Sequence, residues 1–123
     1  MSLPKINRLR HHKAFKRVYQ KGGRCAGRYL ILRLLQETAF PEEESLPPPQ
    51  IGISISQKVS KKAVIRNRIK RQIRGAFREL LPQLSPGWKI VVVVKPQAQG
   101  CKYEDFLREL RELLINSEVL HGD

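Results

Sequence analysis

Apolar residues recur along this chain with two different periods, and the switches between them mark its elements. From His11 to Gln20, Phe15 and Tyr19 are four apart, as are Ala14 and Val18. That spacing predicts a short helix with one apolar stripe. Gly22 and Gly23 are expected to stop it, because glycine readily takes the left-handed conformation that closes helices. Arg28 to Gln36, around YLILRLL, is nearly continuous in apolar residues. It reads as a strand, although periodicity alone leaves a helix open. Ile51 to Ser56 alternates strictly, with Ile51, Ile53 and Ile55 on one face and Gly52, Ser54 and Ser56 on the other. This is the pattern of a half-buried strand, and its small second face can let a ligand lie close to the sheet.

A longer helix follows, with Ser60 as its expected N-cap. Ile65, Ile69, Ile73, Ala76, Phe77 and Leu80 repeat at spacings of three and four and form its core-facing stripe. Arg68, Arg71, Arg74 and Arg78 lie mostly opposite, with Lys70 at the flank. Pro82 and the Ser85-Pro86-Gly87 turn end this helix. Trp88 to Lys95 contains four consecutive valines and reads as a buried strand. Tyr103 to Ile115 is a final amphipathic helix with Phe106, Leu107, Leu110, Leu113 and Leu114 inward. Glu104 and Asp105 in its first turn suit the helix dipole. Glu37 to Gln50 has another composition, with a run of three glutamates and four prolines, and reads as an exposed acidic, Pro-rich loop joining two strands. Helix, strands, helix, strand, helix in one chain of 123 residues predicts a single domain, an α+β or mixed α/β sandwich with helices layered on a small sheet.

Charge changes this picture from a generic small fold to a binding protein. The formal net charge is +13 and the isoelectric point is near 10.4. Residues 1–36 carry ten Lys and Arg and no acid, and residues 45–78 carry nine and no acid. The acids gather in 37–44, at Glu79 and in the last twenty residues. Segregation of this kind builds a one-sided positive field whose natural partner is a polyanion, above all nucleic acid.

Catalytic groupings are sparse by comparison. His11 and His12 sit among cations, His121 is near the end, and all three read as solvated surface. Glu42, Glu43 and Glu44 read as solubilising charges, and Ser54 and Ser56 have no activating base in sight. Two cysteines, Cys25 and Cys101, are too few for a disulfide framework or a zinc site. No apolar run has membrane-spanning length and no signal-peptide pattern opens the chain, so a cytoplasmic protein without a membrane partner is expected. Binding groups are plentiful. Arg offers a planar fork to phosphate, and Phe15 and Tyr19, among Lys13, Lys16, Arg17 and Lys21, are candidates to stack on unpaired bases.

The segment Ser54-Ile55-Ser56-Gln57-Lys58-Val59, followed by Ala63-Val64-Ile65-Arg66-Asn67-Arg68-Ile69-Lys70-Arg71-Gln72-Ile73-Arg74, resembles the protein subunit of bacterial ribonuclease P. That family carries a strand ending in S-x-S-x-K and then a helix with R-N-R-x-K-R. Arg8-Leu9, Phe15, Tyr19, Gly27-Arg28 and the valine-rich strand extend the likeness over nearly all of the chain outside 37–50 and the tail.

The resemblance implies a two-layer α-β sandwich in the order αβββαβα, with a four-stranded sheet and a left-handed crossover through the basic helix. It adds a short strand near Arg24 to Ala26 that periodicity does not reveal. It further implies a non-catalytic RNA-binding subunit of an endoribonuclease. In that enzyme a catalytic RNA, with magnesium, removes the 5′ leader from precursor tRNA, and the protein itself holds no cofactor. Carried over by position, Arg66, Asn67, Arg68, Lys70 and Arg71, with Arg74 beside them, face the catalytic RNA. Phe15, Val18, Tyr19 and Ser54 line a cleft for the single-stranded leader, with Lys58 and Lys62 nearby. Arg33 stands where the family commonly has an aromatic residue, so a charged contact replaces a stacking one there, and Tyr19 stands where a second phenylalanine is frequent. A structural ribosomal or rRNA-binding protein would share the charge and the small fold, and is the competing expectation.

Overall fold

The computed structural model describes residues 3–37 and 46–120. Most of the acidic loop, including Glu42 to Glu44, and His121 lie outside the described residues. The elements are α1 (His12–Lys21), β1 (Gly23–Ala26), β2 (Leu30–Gln36), β3 (Gln50–Ser54), α2 (Ala63–Leu80), β4 (Trp88–Val94) and α3 (Tyr103–Asn116). The order is αβββαβα, and the strand from Gly23 to Ala26 is present although its sequence carries no alternation.

The four strands form one sheet in the order β1-β2-β4-β3. β1 and β2 are antiparallel, as are β2 and β4, whereas β3 runs parallel to β4. A parallel pair needs a crossover, and α2 supplies it. β4 is therefore central, which explains the unbroken Ile90-Val91-Val92-Val93-Val94 run: its two faces are both covered. Ile90, Val92 and Val94 join Leu30, Leu32, Leu34 and Ile51 under the main core. On that side lie Ile69, Ile73, Ala76, Phe77 and Leu80 of α2 and Phe106, Leu110, Leu113 and Leu114 of α3. Each fully buried side chain of this size contributes about 1.5–3 kcal/mol. Val91 and Val93 point the other way and pack with Leu9, Ala14, Phe15, Val18 and Leu35, beneath α1.

Two local expectations are corrected. Gly22 closes α1 with φ −85° and ψ 166°, so no left-handed residue is used. What needs glycine there is space: a Cβ would come within 2.5 Å of the Leu34 carbonyl oxygen and 2.6 Å of that of Val18. Left-handed glycine occurs instead at Gly87, with φ +86°, in the turn before β4. Ser60 is not the N-cap of α2. Lys62 holds that position without a side-chain cap. The Ser60 hydroxyl accepts from the Lys62 N–H at 3.2 Å, and its carbonyl accepts from Arg66 Nη1 at 2.8 Å. At α3 the carboxylate of Asp105 accepts from the Lys102 N–H at 2.9 Å, satisfying one of the orphan donors at the helix start.

One residue outside the expected core sits inside it. Glu109 is only 9% exposed and faces the start of β2. Its Oε1 accepts from the N–H groups of Arg28 (2.8 Å) and Tyr29 (3.2 Å), and its Oε2 from those of Tyr29 (2.9 Å) and Leu30 (2.7 Å). Gly27 admits it, because a Cβ there would lie 2.6 Å from the carboxyl carbon. Lys95 Nζ donates to the Gly27 carbonyl at 3.2 Å.

Candidate nucleic-acid interface

Two surfaces carry the candidate residues, and α2 is the boundary between them. Its apolar stripe fixes its rotation against the sheet, so the remaining positions must present their cations outward. Asn67, Arg68, Arg71 and Arg78 are exposed, and Arg66, Lys70 and Arg74 are half-buried. The guanidinium of Arg66 reaches the Ser60 carbonyl, and that of Arg68 the Gln99 carbonyl at 3.4 Å. Among the described residues the ion pairs are Arg17–Glu37 (3.3 Å), Lys89–Glu37 (3.2 Å) and Arg108–Asp105 (2.9 Å). None of these takes a cation from α2, so the row through Arg66, Arg68, Lys70, Arg71 and Arg74 is not spent on carboxylates within the described residues. Such a row repels itself, and a phosphate backbone laid along it removes the repulsion.

The second surface is a cleft of about 300 Å³ where the N-terminal segment meets β3. Leu9 N–H donates to the Ile51 carbonyl at 2.9 Å, and the Asn7 side-chain amide donates to the Pro49 carbonyl at 2.8 Å. These bonds lay the segment along the edge of the sheet. Leu3, Arg8, Leu9, Arg10, Phe15, Gly52 and Arg74 are among the residues lining the cleft. Arg74 therefore leans away from the exposed ridge and joins the two surfaces. The wall from the N-terminal segment was not assigned from sequence. Its signal was the Arg8-Leu9-Arg10 alternation, which places Leu9 inward and the two cations at the rim.

Phe15 lies directly on Gly52: a Cβ there would sit 2.3 Å from the ring Cζ. The close approach that the glycine–serine face permits is thus taken by the chain's own aromatic, and only part of that floor is open. Gly52→Ala is expected to destabilise the fold by about 1–3 kcal/mol, because the ring must move. In a Phe15→Leu background the same change should have a markedly smaller effect. Denaturant unfolding of the four proteins checks this, and a neutral Gly52→Ala would contradict the packing.

The other cleft candidates divide. Val18 has no exposed surface, so it cannot touch a ligand and serves only to seat α1 on Val91. Tyr19 is 37% exposed. Arg33 lies over its ring at 5.7 Å and donates to its backbone carbonyl at 2.6 Å. An arginine in the expected aromatic's place thus clamps the end of α1 and presents a cation–π pair beside the cleft. Ser54 is half-buried at the end of β3. Lys58 and Lys62 are exposed in the connection to α2 and are not among the residues lining the cleft.

Cys25 and Cys101 are free thiols, and burial, followed by the charges of Asp105 and Glu109, pushes the Cys101 pKa up against a smaller opposing effect of Arg28. Among the described residues no group of three or more His, Cys, Asp and Glu side chains is arranged to hold a metal ion. No helix of the described residues is long and apolar enough to cross a membrane.

Comparison with known proteins gives a consistent result. A family model described as Ribonuclease P matches residues 3–118. A ribonuclease P protein component from Picosynechococcus is 53% identical over 122 residues, covering 99% of this chain and 99% of that protein. One from Microcystis aeruginosa is 48% identical with the same coverage. Among solved structures, the Staphylococcus aureus RNase P protein, in a mutant form with defective mRNA degradation activity, superposes with a TM-score of 0.80. It is 26% identical, and the match covers 94% of this chain and 92% of that one.

Proposed function

The chain belongs to the ribonuclease P protein family, and from that premise we propose that it is the RNA-binding subunit of a tRNA-processing endoribonuclease. The α2 ridge of Arg66, Asn67, Arg68, Lys70 and Arg71 docks on the catalytic RNA. The cleft holds the single-stranded 5′ leader of precursor tRNA, with Phe15, Tyr19 and the Arg33–Tyr19 pair as stacking surfaces and Arg8, Arg10 and Arg74 toward its phosphates. Bond breaking, and the magnesium it uses, belong to the RNA. This chain supplies binding and orientation: it lowers phosphate repulsion between two RNAs and fixes the leader relative to the ribozyme.

The observation that carries this is the open cationic row on α2, continuous through Arg74 with the cleft. A single rigid helix can hold two RNAs in fixed relation only if both surfaces share it.

Precursor tRNA cleavage with a family catalytic RNA, at magnesium too low for the RNA alone, tests the proposal. Cleavage at the mature 5′ end is expected only when the protein is added, and the gain should shrink when the leader is cut to one nucleotide. Cleavage by the protein after all RNA is removed would place the chemistry in this chain. Binding to ribosomal RNA with no effect on cleavage would favour a structural role instead.

A further inference from the structure

On the flank of α2 away from the cleft, a groove of about 580 Å³ opens toward α3, lined by Arg71, Gln72, Gly75, Arg78, Glu79 and Tyr103. Its volume is typical of small-ligand sites. Gly75 makes room for it: a Cβ there would lie 3.3 Å from the Tyr103 ring and narrow the gap. Alanine is the better residue for a helix interior, so the opening comes at the expense of helix propensity.

Acceptors stand in its wall beside the two arginines. Glu79 is the single acid of α2. The Tyr103 hydroxyl donates to its Oε2 at 2.6 Å and lies 3.3 Å from the Gly75 carbonyl oxygen. Burial, then the hydrogen bond and the charge of Glu79, push the phenol pKa to about 12, so it remains a donor throughout the biological range. The hydrogen bond holds the exposed carboxylate in the groove wall, and its oxygens keep further lone pairs able to accept. Gln72 Oε1, in the same wall, is buried without a hydrogen-bond partner. Arg71 and Arg78 stand exposed at the rim.

We propose that this groove takes one unpaired guanine of an RNA strand, with the flanking phosphates on Arg71 and Arg78. A carboxylate on a phosphate-binding helix repels its ligand unless the ligand brings it hydrogen-bond donors, and the edge of an unpaired base carries them. Guanine alone offers two adjacent donors, N1–H and N2–H, to the two carboxylate oxygens. Adenine and cytosine set a ring acceptor beside their amino group, against a Glu79 lone pair, and uracil has one donor between two carbonyls. The Tyr103 ring gives the base a face to stack on. This inference rests on the α2 ridge being the surface that meets the catalytic RNA, and it adds base specificity to what is otherwise phosphate contact.

The test is amide NMR titration of the whole protein with GMP, AMP, CMP and UMP. GMP should shift Gln72, Gly75, Glu79 and Tyr103 and bind about tenfold tighter than AMP. Single-stranded UUGU should bind more tightly than both UUAU and GMP. In Glu79→Gln the guanine preference should vanish while shifts at Arg71 and Arg78 persist. Gly75→Ala should keep or raise the melting temperature yet lose the groove shifts. Four nucleotides acting alike, with shifts at the arginines only, would overturn the groove, as would GMP binding tighter than UUGU. Neither result touches the cleavage assay. Guanine preference in a protein that fails to stimulate cleavage would support the groove while sinking the role in processing.

Discussion

Glu109→Ala is expected to lower the melting temperature by about 10–15 °C, a loss of about 3 kcal/mol for a domain of this size. The carboxylate receives four hydrogen bonds from three consecutive N–H groups, those of Arg28, Tyr29 and Leu30. Removing it leaves those donors facing apolar surroundings, and an unpaired buried donor costs about 1–3 kcal/mol. Glu109→Gln should lose less, about 1–2 kcal/mol, because one oxygen survives while the amide nitrogen meets the other N–H groups. Gly27→Ala supplies an independent check. Its Cβ would collide with the carboxyl carbon, so it should damage the parent protein and be nearly neutral once Glu109 is alanine. Thermal or urea unfolding of the four proteins measures this cycle. Additive losses, or a melting temperature for Glu109→Ala within two or three degrees of the parent, would refute a structural role for the carboxylate. The functional consequence is positional. β2 begins at Leu30 and carries Arg33, whose hold on Tyr19 shapes the side of the cleft.

How far the sequence spoke for itself depends on whether the deciding contacts were local. α2 and α3 were legible because their apolar stripes depend on spacing alone, and all of the fully buried α2 positions fall on that stripe. β4 was legible because a strand covered on both faces needs no alternation. β1 was not: its four residues, Gly23 to Ala26, are mostly exposed, and its pairing with β2 and the packing of Cys25 on the core are contacts that no local pattern announces. Glu109 was missed, and its only sequence signal is its place, three residues after Phe106 and four before Leu113 in an apolar stripe. What it binds is about eighty residues away, and no spacing rule reaches that far. The site divides in the same way. The exposed ridge follows from which α2 positions are apolar. The fate of Val18, the seat of Phe15 on Gly52 and the turning of Arg74 toward the cleft follow from packing between elements distant in sequence.

Binding to the catalytic RNA is expected to weaken by about three orders of magnitude between 50 and 200 mM monovalent salt. If the ridge and its flanks neutralise about six phosphates, the slope of log K against log salt is about −5, and a fourfold rise in salt then removes about three decades. The open row on α2 makes this more than a statement about net charge. A charge of +13 spread evenly would bind any polyanion weakly, whereas cations on one rigid helix release their counterions together. Arg68→Ala separates the surfaces. Its side chain is exposed and, among the described residues, reaches only the Gln99 carbonyl, so its loss should leave folding intact. It should lower affinity for the catalytic RNA about tenfold at 100 mM salt and make the slope shallower by about one unit. Affinity for a leader-length single strand should change less than twofold, because α2 gives the cleft Arg74 and not Arg68. Filter binding across a salt series with both RNAs measures all of this. Equal losses for the two RNAs would show that one undivided surface binds both, and a slope shallower than −2 in the parent protein would show that the ridge is not where the phosphates lie.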